Sequence, residues 1–458
     1  MRAILSLWLL LLCMPSTLPA ADLLDVYELA LENDTRFRAA AHARDAVLES
    51  RPLARSALLP QVFGGASYGV QRTEITVQQD VGGELTRSDT SEPYSYGLSL
   101  SQVLFDLAAF LRLRQAGDEI AAAEARFAAE SQSLVSRTAA AYFDVLGAQD
   151  NLRFARAENE ALGRQRDQAD GRFEAGIAAY TDVQEAEAQF DLSRAAVLEA
   201  ERLVVVARQN LAVITTHAEI PLVALAAEIP LVSPQPDEPD EWVAAALESN
   251  FELLATKIET EIAEREVDVL RSAYLPTLRL EGDQRFGQSA GFNRGEFDIR
   301  GLFVNLDVPV FTGLSRQANV RRSRSTYEQR RAELEGARRT VESLTWDAFQ
   351  GVTTGAGQVR ALRQAVRSNQ TALEATEAGM RVGTRTIVDV LTGQRLLYEA
   401  ERNYARARYD YLLSVLRLKQ VAGRLHGGDL VGINALLAPA SESAGDAATA
   451  PATDTMPR

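Results

Sequence analysis

Two periodicities alternate along the chain. After Pro60 and Pro276 the residues alternate apolar and polar, as expected of strands with one greasy face. Val62, Ala66, Tyr68 and Val70 share one face of the first such segment, and Tyr94, Tyr96, Leu98, Leu100 and Leu104 share one face of the second. Two more strands are expected near Leu278–Phe286 and Phe297–Phe311, where Leu302, Val304, Leu306, Val308 and Val310 alternate. Elsewhere the period is seven. Val183, Phe190, Val197, Val204 and Leu211 are seven apart, as are Val390, Leu397, Tyr404, Tyr411 and Leu418. An ordinary amphipathic helix follows a period of about 3.6. A strict seven-residue period keeps one seam toward a partner helix, so these segments read as coiled coil. The stretch Leu107–Phe173 contains no proline, and as one helix it would reach roughly 100 Å.

The plan is written twice. Arg55-Ser56-Ala57-Leu58-Leu59-Pro60 recurs 216 residues later as Arg271-Ser272-Ala273-Tyr274-Leu275-Pro276. Gly176 with Thr181-Asp182-Val183 recurs as Gly383 with Val388-Asp389-Val390, at an offset of 207. The expected order in each half is helix, strand, strand, long helix, turn, long helix. The first repeat spans 22–218, with barrel strands at about 61–70 and 94–105. The second spans 241–436, with strands at about 277–286 and 297–311. Between them, residues 219–240 form a linker broken by Pro221, Pro230, Pro234, Pro236 and Pro239. Residues 437–458 turn to Ala, Ser, Thr, Pro and Asp and are expected to be disordered. The connections Thr73–Pro93 and Gly287–Glu296, with Gly82, Gly83 and Gly291, read as exposed hairpin loops, and Gly351, Gly355 and Gly357 read as a break in the last long helix pair.

Four amphipathic strands cannot close a membrane barrel, since the smallest known need about eight. An open sheet in lipid leaves its edges without hydrogen-bond partners. Other copies of the chain must therefore complete it; two copies supply eight strands and three supply twelve, and the pattern does not choose. Tyr94, Tyr96, Phe105, Phe286, Phe303 and Phe311 are candidates for an interfacial aromatic girdle.

Composition and charge narrow the partners. A formal net charge of −15 argues against nucleic acid, because phosphate binding needs clustered basic residues. Residues 1–21 resemble an export signal: Arg2, an apolar run over Ile4–Leu12, then Pro15 to Ala21 with small residues for cleavage. The one cysteine, Cys13, lies in that segment. No later stretch is apolar enough for a spanning helix. His42, His217 and His426 stand at no ligand spacing, and no nucleophile elbow, phosphate loop, dinucleotide fingerprint or zinc motif is present. No enzyme activity, cofactor or metal is expected. Asp182 and Asp389 follow turns at helix starts, where carboxylates complement unpaired N–H groups.

Gly383-Thr384-Arg385-Thr386-Ile387-Val388-Asp389-Val390-Leu391 resembles the periplasmic-tip segment of the TolC-type outer-membrane efflux family. Ala405-Arg406-Ala407-Arg408-Tyr409-Asp410-Tyr411-Leu412, Asp22-Leu23-Leu24-Asp25-Val26-Tyr27 and Thr181-Asp182-Val183-Gln184 are similar to the same family, and the resemblance covers about residues 22–435. It implies an α+β membrane protein: a homotrimer whose four strands per protomer make a 12-stranded barrel above a coiled-coil α-helical tunnel. It places 219–240 in the belt around that tunnel. It implies a location in the outer membrane with the helices in the periplasm, and as partners a periplasmic adaptor and an inner-membrane pump of ABC, RND or MFS type. The chain would be the passive exit duct for efflux or type I secretion. At the tip, Arg385 matches the family's basic residue, Thr181 and Asp182 match its partners on the neighbouring helix pair, and Asp389 matches one of two aspartate rings. The second ring position is Thr392, and a tyrosine used in closure is Met380. The alternative is a periplasmic coiled-coil adaptor that conducts nothing, and it has no use for four lipid-length strands.

Overall fold

The structure, a computed structural model, describes residues 20–79, 83–292 and 295–438. Most of the signal segment, Gly82 and all but the first two residues of the 437–458 tail lie outside the described residues. In chain order the first repeat comprises α1 (Leu23–Asn33), α2 (Thr35–Leu48), α3 (Ser50–Ser56), β1 (Gln61–Tyr68), β2 (Gln71–Gln79), β3 (Gly83–Ser91), β4 (Tyr94–Phe105), α4 (Leu107–Glu174) and α5 (Tyr180–Thr215). A short β5 (Ala224–Leu225) follows. The second repeat has α6 (Pro239–Ser249), α7 (Phe251–Ser272), β6 (Thr277–Gln288), β7 (Glu296–Asp307), α8 (Ser315–Arg381) and α9 (Ile387–Val421). The described residues end in α10 (Asp429–Asn434) and β8 (Leu437–Ala438). No described helix is long and apolar enough to cross a membrane. The chain packs as two units. One comprises Met1–Ala41, Arg126–Leu253 and Arg338–Arg458; the other comprises His42–Ala125 and Leu254–Ala337.

The second unit holds a four-stranded antiparallel sheet of order β1-β4-β6-β7, so the two repeats contribute neighbouring strand pairs. Both outer strands pair on one side only. The register sorts the side chains: Val62, Leu100, Gly282 and Leu302 form one row, and Leu278 and Leu306 sit opposite each other two rungs on. The other face carries Ser67, Ser95, Ser99, Glu281, Asp283 and Asn305. There Ser67 meets Ser95 at 2.8 Å, and the Asn305 amide donates to Glu281 at 2.7 Å. A bulge at Leu104 shifts the register between Val103 and Phe105. It moves Phe105 opposite Leu278, onto the apolar face, and takes Leu104 out of the alternation expected of it. Phe303, grouped above with girdle candidates, belongs instead to the polar face, where its ring lies over Gly301 and fills the space a Cβ would take. Tyr96 and Phe286 do meet on the apolar face, with ring centroids 5.3 Å apart. The strand ends at Asp307, ahead of Pro309, which has no N–H for a ladder.

The expected loop at Thr73–Pro93 is in fact a hairpin, β2 paired with β3. The β-branched and apolar residues Thr73, Ile75 and Val77 alternate along it, Val77 faces Leu85, and Thr76 meets Thr86 at 3.1 Å. Arg87 lies 4.7 Å from the Phe292 ring, and the Gly291 N–H donates to Ser91, so the hairpin is tied to the β6–β7 turn.

The first unit is built on the seven-residue seams. Val183, Val204 and Leu211 of α5 and Val390, Tyr411 and Leu418 of α9 are buried. The glycines at 351–357 do not break α8, which is continuous. Gly351 faces Ser414 and Gly355 faces Tyr411, where an added Cβ would come to 3.4 and 3.6 Å. A Cβ at either position would make ordinary van der Waals contact, so α8 carries these glycines in spite of their poor helix propensity.

The proline-rich segment 219–240 is pinned to this core through its backbone. The Tyr142 hydroxyl donates to the Val223 carbonyl at 2.7 Å, and Arg408 donates to the carbonyls of Ala226 and Ala227 at 2.9 and 3.0 Å. The Tyr411 hydroxyl both donates to and accepts from the Val232 backbone at 2.9 Å. Tyr409 stacks on Phe143 and donates to Asp150 at 2.7 Å; burial and that carboxylate hold its phenol far above the usual range. Past α10, Leu437 and Ala438 pair with Leu225 and Ala224, so ordered chain reaches into the segment expected to be disordered. Replacing Arg408 with Met should lower stability by about 1–3 kcal/mol, since two part-buried carbonyls lose their charged donor. The check is thermal unfolding together with limited proteolysis, which should open new cleavage between residues 226 and 240.

Candidate functional site

The two helix-pair ends of the first unit carry every tip residue singled out above, and the two turns are built alike. At the first, Gly176 adopts φ 73°. Its N–H donates to Phe173 at 2.9 Å, and Ile177 donates to Arg172 at 2.9 Å. At the second, Gly383 adopts φ 78°, its N–H donates to Met380 at 3.1 Å, and Thr384 donates to Gly379 at 2.9 Å. Both are Schellman closures, in which a left-handed residue lets the chain satisfy the last helical carbonyls, and glycine takes that conformation without strain.

The helix starts that follow differ in one atom that matters. At α9, Thr386 and Asp389 form a capping box. The Asp389 carboxylate accepts the Thr386 N–H at 2.9 Å and the Thr386 hydroxyl at 2.9 Å, and the Asp389 N–H donates to that hydroxyl oxygen at 3.3 Å. The Thr386 N–H, then its hydroxyl, and lastly the charge of Arg385 hold the Asp389 carboxyl below its ordinary value. At α5 the matching position is Ala179, which has no side-chain oxygen. Only half the box remains, with the Asp182 carboxylate accepting the Ala179 N–H at 3.4 Å. Both aspartates therefore sit at the third helical position, one turn inside the cap.

Behind the turns lies a small apolar cluster, with Leu162 and Ala169 of α4, Val183 and Ala186 of α5, and Leu391 of α9, flanked by Phe190 and Ile387. Val390 is fully buried, which fixes the first turn of α9 and leaves Asp389 only partly covered. Thr392, three residues on, is exposed, as is Thr181. Met380 is buried in the last turn of α8, where its carbonyl caps the turn and its side chain has no hydroxyl to donate.

Arg385 is exposed. Its stem lies across Gly379, where an added Cβ would come to 2.7 Å from Cγ. That places a cation over the C-terminal turn of α8, where the helix dipole favours it. Among the described residues Arg385 forms no ion pair, and a single chain does not join it to Thr181 or Asp182. Gly379 was not singled out from the sequence, because nothing local distinguishes it from a tolerated helical glycine. The box was legible as Thr386-x-x-Asp389. Among the described residues no group of three His, Cys, Asp or Glu side chains converges as a metal site.

Comparison with known proteins gives concordant matches. The family model "Outer membrane efflux protein" matches residues 26–217 and 242–424. The outer membrane protein TolC of Vibrio cholerae is 36% identical over 421 residues, covering 91% of this chain and 94% of that protein. The alkaline protease secretion protein AprF of Pseudomonas aeruginosa is 31% identical over 416 residues, covering 90% and 86%. Among solved structures, the Campylobacter jejuni CmeC outer membrane channel superposes with a TM-score of 0.76 at 17% identity, covering 92% of this chain and 90% of that one.

Substituting Gly383 with Ala should destabilise the second turn by about 1 kcal/mol, because a Cβ is strained at positive φ. Gly357 to Ala, at an open helical position, should be neutral or stabilising by up to about 1 kcal/mol. Hydrogen exchange over residues 378–390 should quicken in the first variant and not in the second.

Proposed function

The chain belongs to the outer membrane efflux protein family, and from that premise we propose that three copies form a gated exit duct through the outer membrane. The observation that carries the reading is the open sheet. β1 and β7 each leave one row of backbone groups without partners, while one face is apolar with Leu302 70% exposed. In lipid such edges are untenable, and β7 of one copy is antiparallel-compatible with β1 of the next. Three copies of four strands give the twelve that the family resemblance implies. The matches to a TolC and to a protease secretion protein support service in efflux or in type I secretion, with a periplasmic adaptor and an inner-membrane pump as partners and the pump supplying the energy.

The tip is the gate in this reading. Arg385 is exposed and, among the described residues, forms no ion pair, so it is available to bridge to Thr181 and Asp182 of a neighbouring helix pair. Three Asp389 carboxylates form a ring at the entrance. Because the second ring position is Thr392 and the closing hydroxyl is absent at Met380, the duct selects cations less strongly and opens more easily than a two-ring relative.

The test is single-channel conductance and ion selectivity of the purified protein in a planar bilayer. A small cation-preferring conductance is expected, rising several-fold in Arg385→Ala, with the preference falling in Asp389→Asn. Inserted protein that never conducts, even with the tip opened by substitution, would leave the non-conducting adaptor. The pH dependence has a definite sign. A carboxyl held below its ordinary 3.8 stays charged as pH falls past that value, and its capping contribution is lost only below it. In a ring the neighbouring carboxylates oppose that lowering, so only the direction is fixed: cation preference is lost as pH falls and the ring is protonated. In Thr386→Val, which removes the hydroxyl donor, the midpoint should move upward.

A further inference from the structure

Every junction between the sheet and its helices combines exposed apolar side chains with arginines. Ahead of β1, Leu53 and Leu59 are exposed beside Arg51 and Arg55. At the end of β4 and just beyond it, Phe105 and Phe110 are exposed, close in sequence to Arg112 and Arg114. Ahead of β6, Tyr274 and Leu275 are exposed beside Arg271. After β7, Val310 is 92% and Phe311 79% exposed, and Arg316, Arg321, Arg322 and Arg324 follow within α8.

Segments 51–60, 104–116, 271–276 and 308–324 thus hold nine arginines and one carboxylate, Asp106, in a chain of net charge −15. Asp106 is itself occupied, accepting the N–H groups of Ala108 and Ala109 that open α4. The connection at the other end of the same strands, 69–93, has two arginines and five carboxylates. The excess is therefore one-sided. Farther along α8, Arg330 and Arg331 are paired with Glu333 and Glu328, and Arg271 pairs with Asp268. Arg112, Arg114, Arg321, Arg322 and Arg324 are exposed and, among the described residues, have no ion-pair partner.

We infer that this rim of the sheet binds anionic phospholipid headgroups, with the exposed apolar residues seated at the edge of the acyl region and the arginines on the phosphates. The inference rests on the reading that the apolar face of the sheet lies in the bilayer. Distance permits it: Arg321 lies six residues beyond Ser315, about 9 Å along the helix. That is within the headgroup layer plus one Debye length of about 8 Å. Guanidinium groups bind phosphate bidentately, and their long stems can lie along apolar surface while the charge reaches water. A zwitterionic headgroup offers the same phosphate beside its own ammonium, so the surface prefers headgroups with net negative charge. The feature occurs after both β4 and β7, once per repeat, which a chance cluster on one helix would not reproduce.

The test is native mass spectrometry of the full-length protein in detergent, with equimolar phosphatidylglycerol and phosphatidylethanolamine of matched acyl chains. Phosphatidylglycerol should be retained severalfold over phosphatidylethanolamine, since each near-surface arginine is worth roughly fivefold in affinity for an anionic surface. A variant with Arg112, Arg114, Arg321, Arg322 and Arg324 changed to Gln should lose that preference. Changing Arg72 and Arg87 to Gln at the other end should leave it intact. Equal retention of the two lipids by the wild type would overturn the inference, as would a preference that survives the five-site change. Falling oligomer stability with no lipid preference would also overturn it, and would assign the arginines to a neighbouring copy. Conductance of the same preparations reads the duct assignment separately: loss of lipid preference with normal conductance condemns neither reading, and conduction without any lipid preference condemns only this one.

Discussion

Backbone hydrogen bonding at the two free edges of a four-stranded sheet is the constraint from which the rest of this molecule follows. Each edge presents a row of N–H and C=O groups, and within hydrocarbon each unsatisfied group costs several kcal/mol. The sheet cannot curl onto itself with four strands, and its apolar face, with Leu302, Val304 and Leu306 exposed, is unsuited to water. Chain duplication meets half of the need by placing β4 of the first repeat against β6 of the second. In the proposed assembly, association of copies meets the remainder. In that proposed assembly the polar face lines the lumen, which would give Glu281, Asp283 and Asn305 a wet setting in strands otherwise built for lipid.

The helical unit solves a different problem with the same economy of pattern. A seven-residue seam fixes which face of α5 and α9 is buried, and Gly351 and Gly355 of α8 face Ser414 and Tyr411 of α9. The irregular segment 219–240 carries backbone groups that no ladder serves. Tyr142, Arg408 and Tyr411 supply those partners from regular helices. At the tip, glycine closures and a threonine–aspartate box hold the turns rigidly enough that Arg385 and Asp389 can be presented outward. Of the two, Asp389 is held in place by its own chain through the Thr386 box, while Arg385, exposed and among the described residues without an ion pair, is the group left for a contact between copies.

Much of this was legible in the sequence because periodicity reports burial directly. The alternation from Tyr94 to Leu100 and the seams through Val204 and Tyr411 were read from spacing alone. Most of the misreadings share a cause: local composition was overridden by a partner on another strand or helix. The Thr73–Pro93 segment looked polar enough for a loop, yet cross-strand Thr76–Thr86 and the Arg87–Phe292 contact hold it as a hairpin. Gly351–Gly357 looked like a helix break because the facing side chains of Ser414 and Tyr411 are some sixty residues away in sequence. The bulge at Leu104 could not be read from alternation, because it depends on the strand alongside, whereas the face of Phe303 follows from Leu302 and Val304 on either side of it. The site residues were found through resemblance of the tip segment; Gly379, whose role appears only once Arg385 folds back across it, was not.

The central claim is that copies of this chain complete one another's sheet. The most direct measurement is the number of chains in the detergent-solubilised particle extracted from the outer membrane, obtained by native mass spectrometry. The account predicts three chains per particle, with no folded single chain surviving in the membrane fraction. A stable, membrane-inserted particle containing one chain would contradict it, since the edges of β1 and β7 would then be open to lipid.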